Sequence, residues 1–308
     1  MLRGISLQKL EVFHQVVRSG SVTRAAEALN VSQPVVTAHL RSLEEKLGVR
    51  LVTQKGRTIA LTAAGERVAA WADSLLIRTR ELERELDGLT DGQSGSAIIA
   101  ASMTAGTYTL PDLLAEFGRD HPGSDLRVTV SDPRIATTAV RQGGCDFAVL
   151  ILDPSQGADD LQVEPLWDEP LVLCAAAGFR PADRPLDAAA LADLTFVTSP
   201  EGQVRREKED ELLQRAGLAR GRVSVQLGHP EAMKRAVLAG MGASFLLLSS
   251  VREELETGRL VRLPLDTPPM HIPLFLVHRR SKVFSPLQER LMARVRAAYR
   301  AERDRPVP

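Results

Sequence analysis

The run SVTRAAEALNVSQPVVTAHLRSLEEKL, residues 21 to 47, leaves the chain few ways to fold. It reads as two short helices broken by a turn at Asn30 and Val31. Ser21 caps the first, whose inner face is small: Ala25, Ala26 and Ala28, then Leu29. Small residues let a second helix cross close by. Ser32 caps the second helix, with Pro34 in its first turn, where a missing N–H costs little. Val36, Leu40, Leu43 and Leu47 fall on one face of that helix at helical spacing. With those inward, Pro34, Thr37, Ala38 and Arg41 point outward and His39 lies on the flank. This outer face is short-chained and polar with one arginine, which suits a helix approaching base edges in a duplex groove. Taken alone, the window also fits an amphipathic helical hairpin with no such role.

The flanks favour the groove-reading helix. Upstream, Leu7, Leu10, Phe13 and Val17 form another amphipathic face that closes a three-helix core. Downstream, RLVTQKGRTIALTAAGE reads as strand, basic turn and strand, with Lys55-Gly56-Arg57 at the tip and Thr62 capping the next helix. A helix-turn-helix followed by a basic ribbon is a winged helix, whose wing lies along phosphates. Through residue 62 there are nine basic side chains against four acidic ones, in a chain with no formal net charge. A basic head on an acidic body confines nucleic-acid binding to one end. The candidate DNA contacts are Arg24, Ser32, Gln33, Pro34, Thr37, Ala38, His39, Arg41, Lys55 and Arg57.

Residues 6 to 66 resemble the DNA-binding domain of the LysR-type transcriptional regulators. LQKLEVFHQVVRSGSVTRAAEALNVSQPVVTAHLRSLEEKLGVRL and LTAAGE carry the likeness, in order and at the right spacing. The length and layout of the rest match as well. The chain departs from the family where Ala38 replaces a frequent basic or amide residue. It departs again where Val52 and Gln54 replace a frequent aromatic and arginine. Ala38 can touch a thymine methyl but makes no bidentate contact to guanine. The resemblance implies an N-terminal winged helix-turn-helix followed by an α/β two-lobed effector domain of periplasmic-binding-protein architecture. It also implies dimers paired into homotetramers, and control of a neighbouring gene and of the chain's own promoter. Activation is the commoner mode in that family.

Residues 63–89 read as one long helix. Val68, Leu75, Leu82 and Leu89 recur every seven residues, with Trp71 between the first two, a pattern that suits a coiled-coil seam. Arg78 and Glu85 interrupt it, so a helix docked on its own domain is the alternative. The resemblance matches this segment to the family's dimerising linker helix. Pairing of two heads implies a DNA site with two half-sites related by a dyad. DGLTDGQSGSA then marks a hinge at 90–96.

From Ala97 onward short apolar strands alternate with helices, which implies a mainly parallel sheet covered on both faces. The rhythm runs twice, once per lobe. Chain crossings near Val163–Trp167 and Leu265–Pro269 make one lobe 97–163 plus 269–308 and the other 164–268. Ligands bind such sheets beyond the carboxyl ends of strands. Three junctions offer hydroxyl, amide or imidazole groups beside helix N-termini: Ser102-Met103-Thr104, Thr198 to Gln203, and Gly228 to Glu231. The candidate effector contacts are Ser102, Met103, Thr104, Ser131, Ser199, Gln203 and His229; plain helix capping is the alternative for each. Helix N-termini and hydroxyls suit a small polar or anionic metabolite. Glu201 and Glu231 argue against a dense polyanion unless they point away. Arg205 and Arg206 face either the cleft or solvent, a surface role being the ordinary one.

The six histidines lie far apart, with no HExxH, CxxC or GxSxG arrangement, so no catalytic residues, metal or cofactor are expected. Cys145 and Cys174, in apolar strand-like stretches, read as small buried residues, a redox switch being the alternative. No apolar run is long enough to span a membrane and no signal-peptide layout opens the chain, which fits a cytoplasmic protein. An architectural DNA binder with a vestigial sensor domain is the other functional reading; uniform, steeply salt-dependent binding to any duplex distinguishes it.

Overall fold

The computed structural model describes residues 4–55, 58–88, 95–152, 160–179 and 185–303. Two compact units form, Met1–Asp87 and Gly88–Pro308.

The first unit contains α1 (Leu7–Ser19), α2 (Val22–Ala28), α3 (Gln33–Leu47), β1 (Val52–Lys55), β2 (Thr58–Leu61) and α4 (Ala63–Gly88). Ser21 accepts a bond from Arg24 N and starts α2. Asn30, at φ 53°, makes the left-handed turn between α2 and α3. Ser32 occupies the N-cap of α3, but its side chain makes no capping bond. Leu10, Phe13, Leu40, Leu43 and Leu51 share one core, and Val12, Val16, Ala25, Ala26 and Val36 another. Two residues assigned inward from periodicity are exposed: Ala28, at the last turn of α2, and Leu7, at the first turn of α1. Short helices fray outward at their ends, so the apolar stripe there lacks a facing element.

Glu44 breaks the apolar face of α3 yet is 7% exposed. Its carboxylate accepts from Leu51 N at 2.7 Å and Val52 N at 3.3 Å, and from Arg50 at 3.1 Å. These bonds fix where the chain leaves α3 and enters the wing. Thr62 caps α4 through Gly65 N at 2.9 Å. Gly65 has to be glycine, because a Cβ there would lie 2.0 Å from the Leu51 carbonyl oxygen. The two readings of α4 divide along its length. Ala72 and Leu76 are buried in the core of this unit, with Val68, Trp71 and Leu75 packed against it, while Leu82 and Leu86 are exposed. Leu89 and most of the 90–96 hinge lie outside the described residues.

The second unit runs β3 (Gly95–Ala101), α5 (Leu110–Asp120), β4 (Ser124–Val130), α6 (Pro133–Arg141), β5 (Phe147–Ile151) and β6 (Leu161–Ala176). It continues with α7 (Ala188–Ala192), β7 (Phe196–Thr198), α8 (Val204–Arg215), β8 (Val223–Gln226), α9 (Pro230–Leu238) and β9 (Ser244–Leu247). α10 (Arg252–Glu256), β10 (Leu260–Arg262), β11 (Met270–Arg279) and α11 (Pro286–Arg303) complete it. β3 lies parallel to β4 and β5, and β7 parallel to β8. The expected parallel order fails at the middle of the large sheet, where β6 and β11 pair antiparallel along the whole of β11. A register shift falls between Leu274 and Phe275. β11 meets β5 at Leu274–Val277, whereas β6 meets β9 at Leu171–Cys174 and β10 at Cys174–Ala176. Two long strands therefore serve both lobes, and alternation of short strands and helices carries no sign of that. A π-helical turn at Ala105–Thr109 leads into α5.

Replacing Glu44 with alanine strands the buried Leu51 N–H and the part-buried Val52 N–H. Glu44→Ala is expected to lower the stability of the head by roughly 2–4 kcal/mol, read by chemical denaturation, with Glu45→Ala on the exposed side of α3 as the near-neutral control.

Candidate functional site

Two surfaces collect the chemistry, one in each unit. On the first, Arg24, Ser32, Gln33, Pro34, Ala38 and Arg41 are exposed along α2 and α3. Thr37 is half-buried and donates to the Gln33 carbonyl at 3.0 Å. His39 is half-buried on the flank, with Nδ1 lacking a partner. Val35 joins this face at 40% exposure. The outer face drawn from periodicity left it out, although its position one residue before Val36 turns it off the inner stripe. The backbone of Lys55 lies in β1; its side chain and Arg57 fall outside the described residues.

In the second unit the three strand-to-helix junctions converge on one cleft. It is lined by Ser102, Met103 and Thr104 after β3, Ser199, Gln203 and Arg205 around the start of α8, and Gly228, Pro230 and Met233 around the start of α9. Asp132, Pro133 and Ile151 close the remaining wall. The space between these walls, counted with the solvent at its mouth, is roughly 430 Å³. Gln203 Nε2 donates to the Gly228 carbonyl at 3.4 Å, tying two of the junctions together.

The polar groups here are not satisfied by the protein. Ser102 and Ser199 are 3% and 1% exposed, and neither hydroxyl has a partner. Arg205 Nε, lining the same cleft, has none either. Each such group costs about 1–3 kcal/mol when left unpaired, so three around one cleft need an explanation. Helix capping does not supply it, because Ser102 and Ser199 accept no capping bond.

Two of the proposed contacts fall away from the cleft. Ser131 is not on its wall; the neighbouring Asp132 caps α6 through Arg134 N at 2.9 Å. His229 is exposed and takes the N-cap of α9, its Nδ1 accepting from Glu231 N at 3.2 Å. The surface role assigned to Arg205 and Arg206 is also overturned. Arg205 lines the cleft, donating to the Phe245 carbonyl and lying 3.6 Å from both Met233 Sδ and Glu209. Burial pulls its pKa down, with Glu209 pulling the other way. Arg206 is buried between Asp210 at 2.9 Å and the Ser199 carbonyl at 3.2 Å. Arg220, also buried, holds Glu209 at 2.7 Å and pairs with Asp210. The sequence signal was weak, since VRREKEDELLQR is charged all round and shows no buried face.

Glu201 and Glu231 both stay off the wall. Glu231 accepts from the Tyr108 hydroxyl at 2.6 Å, and pairs with Lys234 and Arg235 at 3.0 Å each. Lys234 reaches Glu254 at 3.1 Å and sits 4.9 Å over the Tyr108 ring. Tyr108 belongs to the π-helical turn and Glu231 to α9, so this bond ties the segment after β3 to α9. Arg134 of α6 makes a second bridge, to both Glu207 oxygens at 2.7 Å and to the Gly202 carbonyl. Among the described residues no group of His, Cys, Asp or Glu is arranged to hold a metal, and no helix is long and apolar enough to cross a membrane. Cys145 and Cys174 are buried, and burial pushes the Cys174 thiol up to about 12.

Burial alone would raise the Glu231 carboxyl, but hydrogen bonds from Tyr108, Arg235 and Lys234 outweigh it and hold the group at about 2. Tyr108→Phe should therefore move the Glu231 titration upward toward the ordinary carboxylate range, as followed by carbon-13 NMR of labelled glutamate. An unmoved midpoint would mean that the bridge does not hold in solution.

Residues 7–66 match the family model described as bacterial regulatory helix-turn-helix protein, lysR family, and residues 90–300 match the LysR substrate binding domain. A RuBisCO operon transcriptional regulator from Allochromatium vinosum is 34% identical over 92% of this chain and 92% of its own length. A full-length OxyR variant from Pseudomonas aeruginosa has a similar structure, with TM-score 0.67 and 25% identity over 96% of this chain and 97% of that one. Full-length CbnR, solved in complex with its target DNA, shares the fold at TM-score 0.64 and 21% identity, covering 96% of this chain and all of that one.

Proposed function

The chain belongs to the LysR family of bacterial transcriptional regulators, DNA-binding proteins and not enzymes, and from that premise we propose that it is a cytoplasmic activator switched by a small polar or anionic metabolite bound between the lobes of its second unit. The observation that carries the metabolite is the set of unpartnered donors, Ser102 Oγ, Ser199 Oγ and Arg205 Nε, around one cleft. The walls beside them are apolar, with Met103, Pro133, Ile151, Pro230 and Met233, so the ligand has a compact carbon body and one polar or charged end. Residues 97–163 with 269–308 form one lobe and 164–268 the other.

The proposed DNA contacts are Arg24, Ser32, Gln33, Pro34, Thr37, Ala38, His39 and Arg41 at the groove, with Lys55 and Arg57 on the backbone. The 63–89 helix pairs two heads, using the exposed Leu82 and Leu86. Dimers then pair into homotetramers on a dyad-symmetric promoter site, including the chain's own. Ligand binding shifts the population toward one arrangement of the lobes and so changes how the paired heads sit on DNA. Because a relative is named for a RuBisCO operon, the promoter of such an operon is one DNA to test, beside the region upstream of the chain's own gene.

Footprinting of either region against an unrelated duplex at two salt concentrations checks the reading. Preferential, salt-resistant protection of a two-fold site is expected; equal, steeply salt-dependent binding to both duplexes would favour a merely architectural role. Arg41→Ala should weaken site-specific binding by about 1–3 kcal/mol. Unchanged affinity and sequence preference would remove Arg41 from base reading. Ser102→Ala should weaken the ligand's effect on that footprint while leaving basal DNA binding intact; loss of both together would indicate misfolding instead.

A further inference from the structure

The outer face of α3 changes character along its length. Val36, Leu40 and Leu43 turn inward and are buried. Gln33, Pro34, Val35 and Ala38 are exposed on the first two turns, and only Gln33 among them ends in a hydrogen-bonding group. Thr37 beside them is half-buried, and its hydroxyl donates to the Gln33 carbonyl at 3.0 Å. The first arginine or lysine of the helix is Arg41, nearly a turn beyond Ala38.

Val35 belongs to neither core of its unit and is 40% exposed. Ala38 follows it at the spacing that puts two side chains side by side on a helix, Cβ atoms about 5–6 Å apart. The unit is basic through residue 62 and matches a DNA-binding family, so the occupant of this apolar strip is a duplex groove. Base edges in the major groove offer hydrogen-bonding groups and one apolar group, the thymine methyl. Valine and alanine neither donate nor accept, so that methyl is what they can match. Against them a cytosine amino group or a guanine O6 would lose its water and gain no partner. Gln33 fits the same pattern, since an amide pairs with adenine.

We propose that Val35 is a base-reading residue which, with Ala38, forms an apolar cradle for thymine methyls, so that the first half of α3 selects A·T pairs. This rests on α3 being the helix that enters the groove. Base pairs rise by about 3.4 Å each, so two side chains at the spacing of Val35 and Ala38 meet neighbouring pairs. Burying one methyl-sized group is worth about fourfold in affinity. Arg41, farther along the helix, is left to supply the contact that carries charge.

Selection of a random duplex library with the full-length protein supplies the site, and deoxyuridine is then placed at each thymine in turn, removing the methyl alone. At one or two thymines in each half-site, uracil should weaken binding by about fourfold. At those positions 5-methylcytosine, paired with guanine, should bind better than cytosine by a similar factor. Val35→Ala, which leaves a good helix former in place, should abolish the uracil penalty at one of them. If that variant does not fold, Val35→Thr keeps the volume, exchanges a methyl for a hydroxyl, and should reduce the same penalty. Ala38→Arg should change the selected base at a neighbouring position from thymine to guanine, whose O6 and N7 match a guanidinium. A selected site without a uracil penalty, or with one that both Val35 variants leave unchanged, overturns the inference and leaves α3 standing as the reading helix. A library in which no sequence is enriched overturns the assignment of α3 and the inference together.

Discussion

The antiparallel pairing of β6 with β11 is the interaction on which the sensing unit depends. Each strand contributes to both lobes, so the pair is at once the core of the sheet and the connection between its halves. Its register decides which strand ends face one another. β3, β7 and β8 end where helices begin, and the pair holds those ends around one space rather than on opposite edges. The shift at Leu274 and Phe275 interrupts the ladder where β11 takes up β5. A bulge at that place bends the strand locally while leaving the flanking bonds intact, which is what a connection between two lobes requires.

Much of the reading head was legible because its information is local. Val36, Leu40 and Leu43 repeat at helical spacing, Ser21 caps, Thr62 caps, and the turn at Asn30 uses a residue tolerant of positive φ. Glu44 was not legible. A glutamate on a helix reads as solvated, and only the return of the chain at Leu51 and Val52 gives its carboxylate buried donors. The junctions of the cleft were found from strand-to-helix grammar, yet the same grammar admitted Ser131 and His229, which it cannot tell from caps. Arg205 and Arg206 were misread for the reason Glu44 was. Their partners include Ser199, Phe245 and, through the shared carboxylates, Arg220, and the distant ones are brought near only by the sheet.

The cleft joins two kinds of polar group that the physics treats differently. Ser102 and Ser199 are neutral donors or acceptors, and satisfying them is worth about a kilocalorie or so each. Arg205 is a buried charge whose matching is worth more and depends on every other charge around it. In the effector site proposed above, selection among ligands of one size thus falls to Arg205, while Ser102 and Ser199 set orientation. The apolar walls discriminate weakly, since one methylene changes affinity by only about 1–3 kcal/mol.

The closure of the lobes follows from protein groups as well as from any ligand. Tyr108 with Glu231 and Arg134 with Glu207 and Gly202 cross the cleft by direct bonds. Arg134 and Glu207 are each about half exposed, and such surface pairs are worth 0–1 kcal/mol or so. The bond of Tyr108 is better protected, with Lys234 over the ring and Glu254 behind it. The crossing at α9 is therefore the stronger of the two. A ligand shifts such an equilibrium only by its difference in affinity for the two states. Because Ser102 and Thr104 follow β3 while Ser199 and Arg205 lie around the start of α8, a molecule touching both sets has that difference built in under the proposed function, and one that satisfies a single set does not.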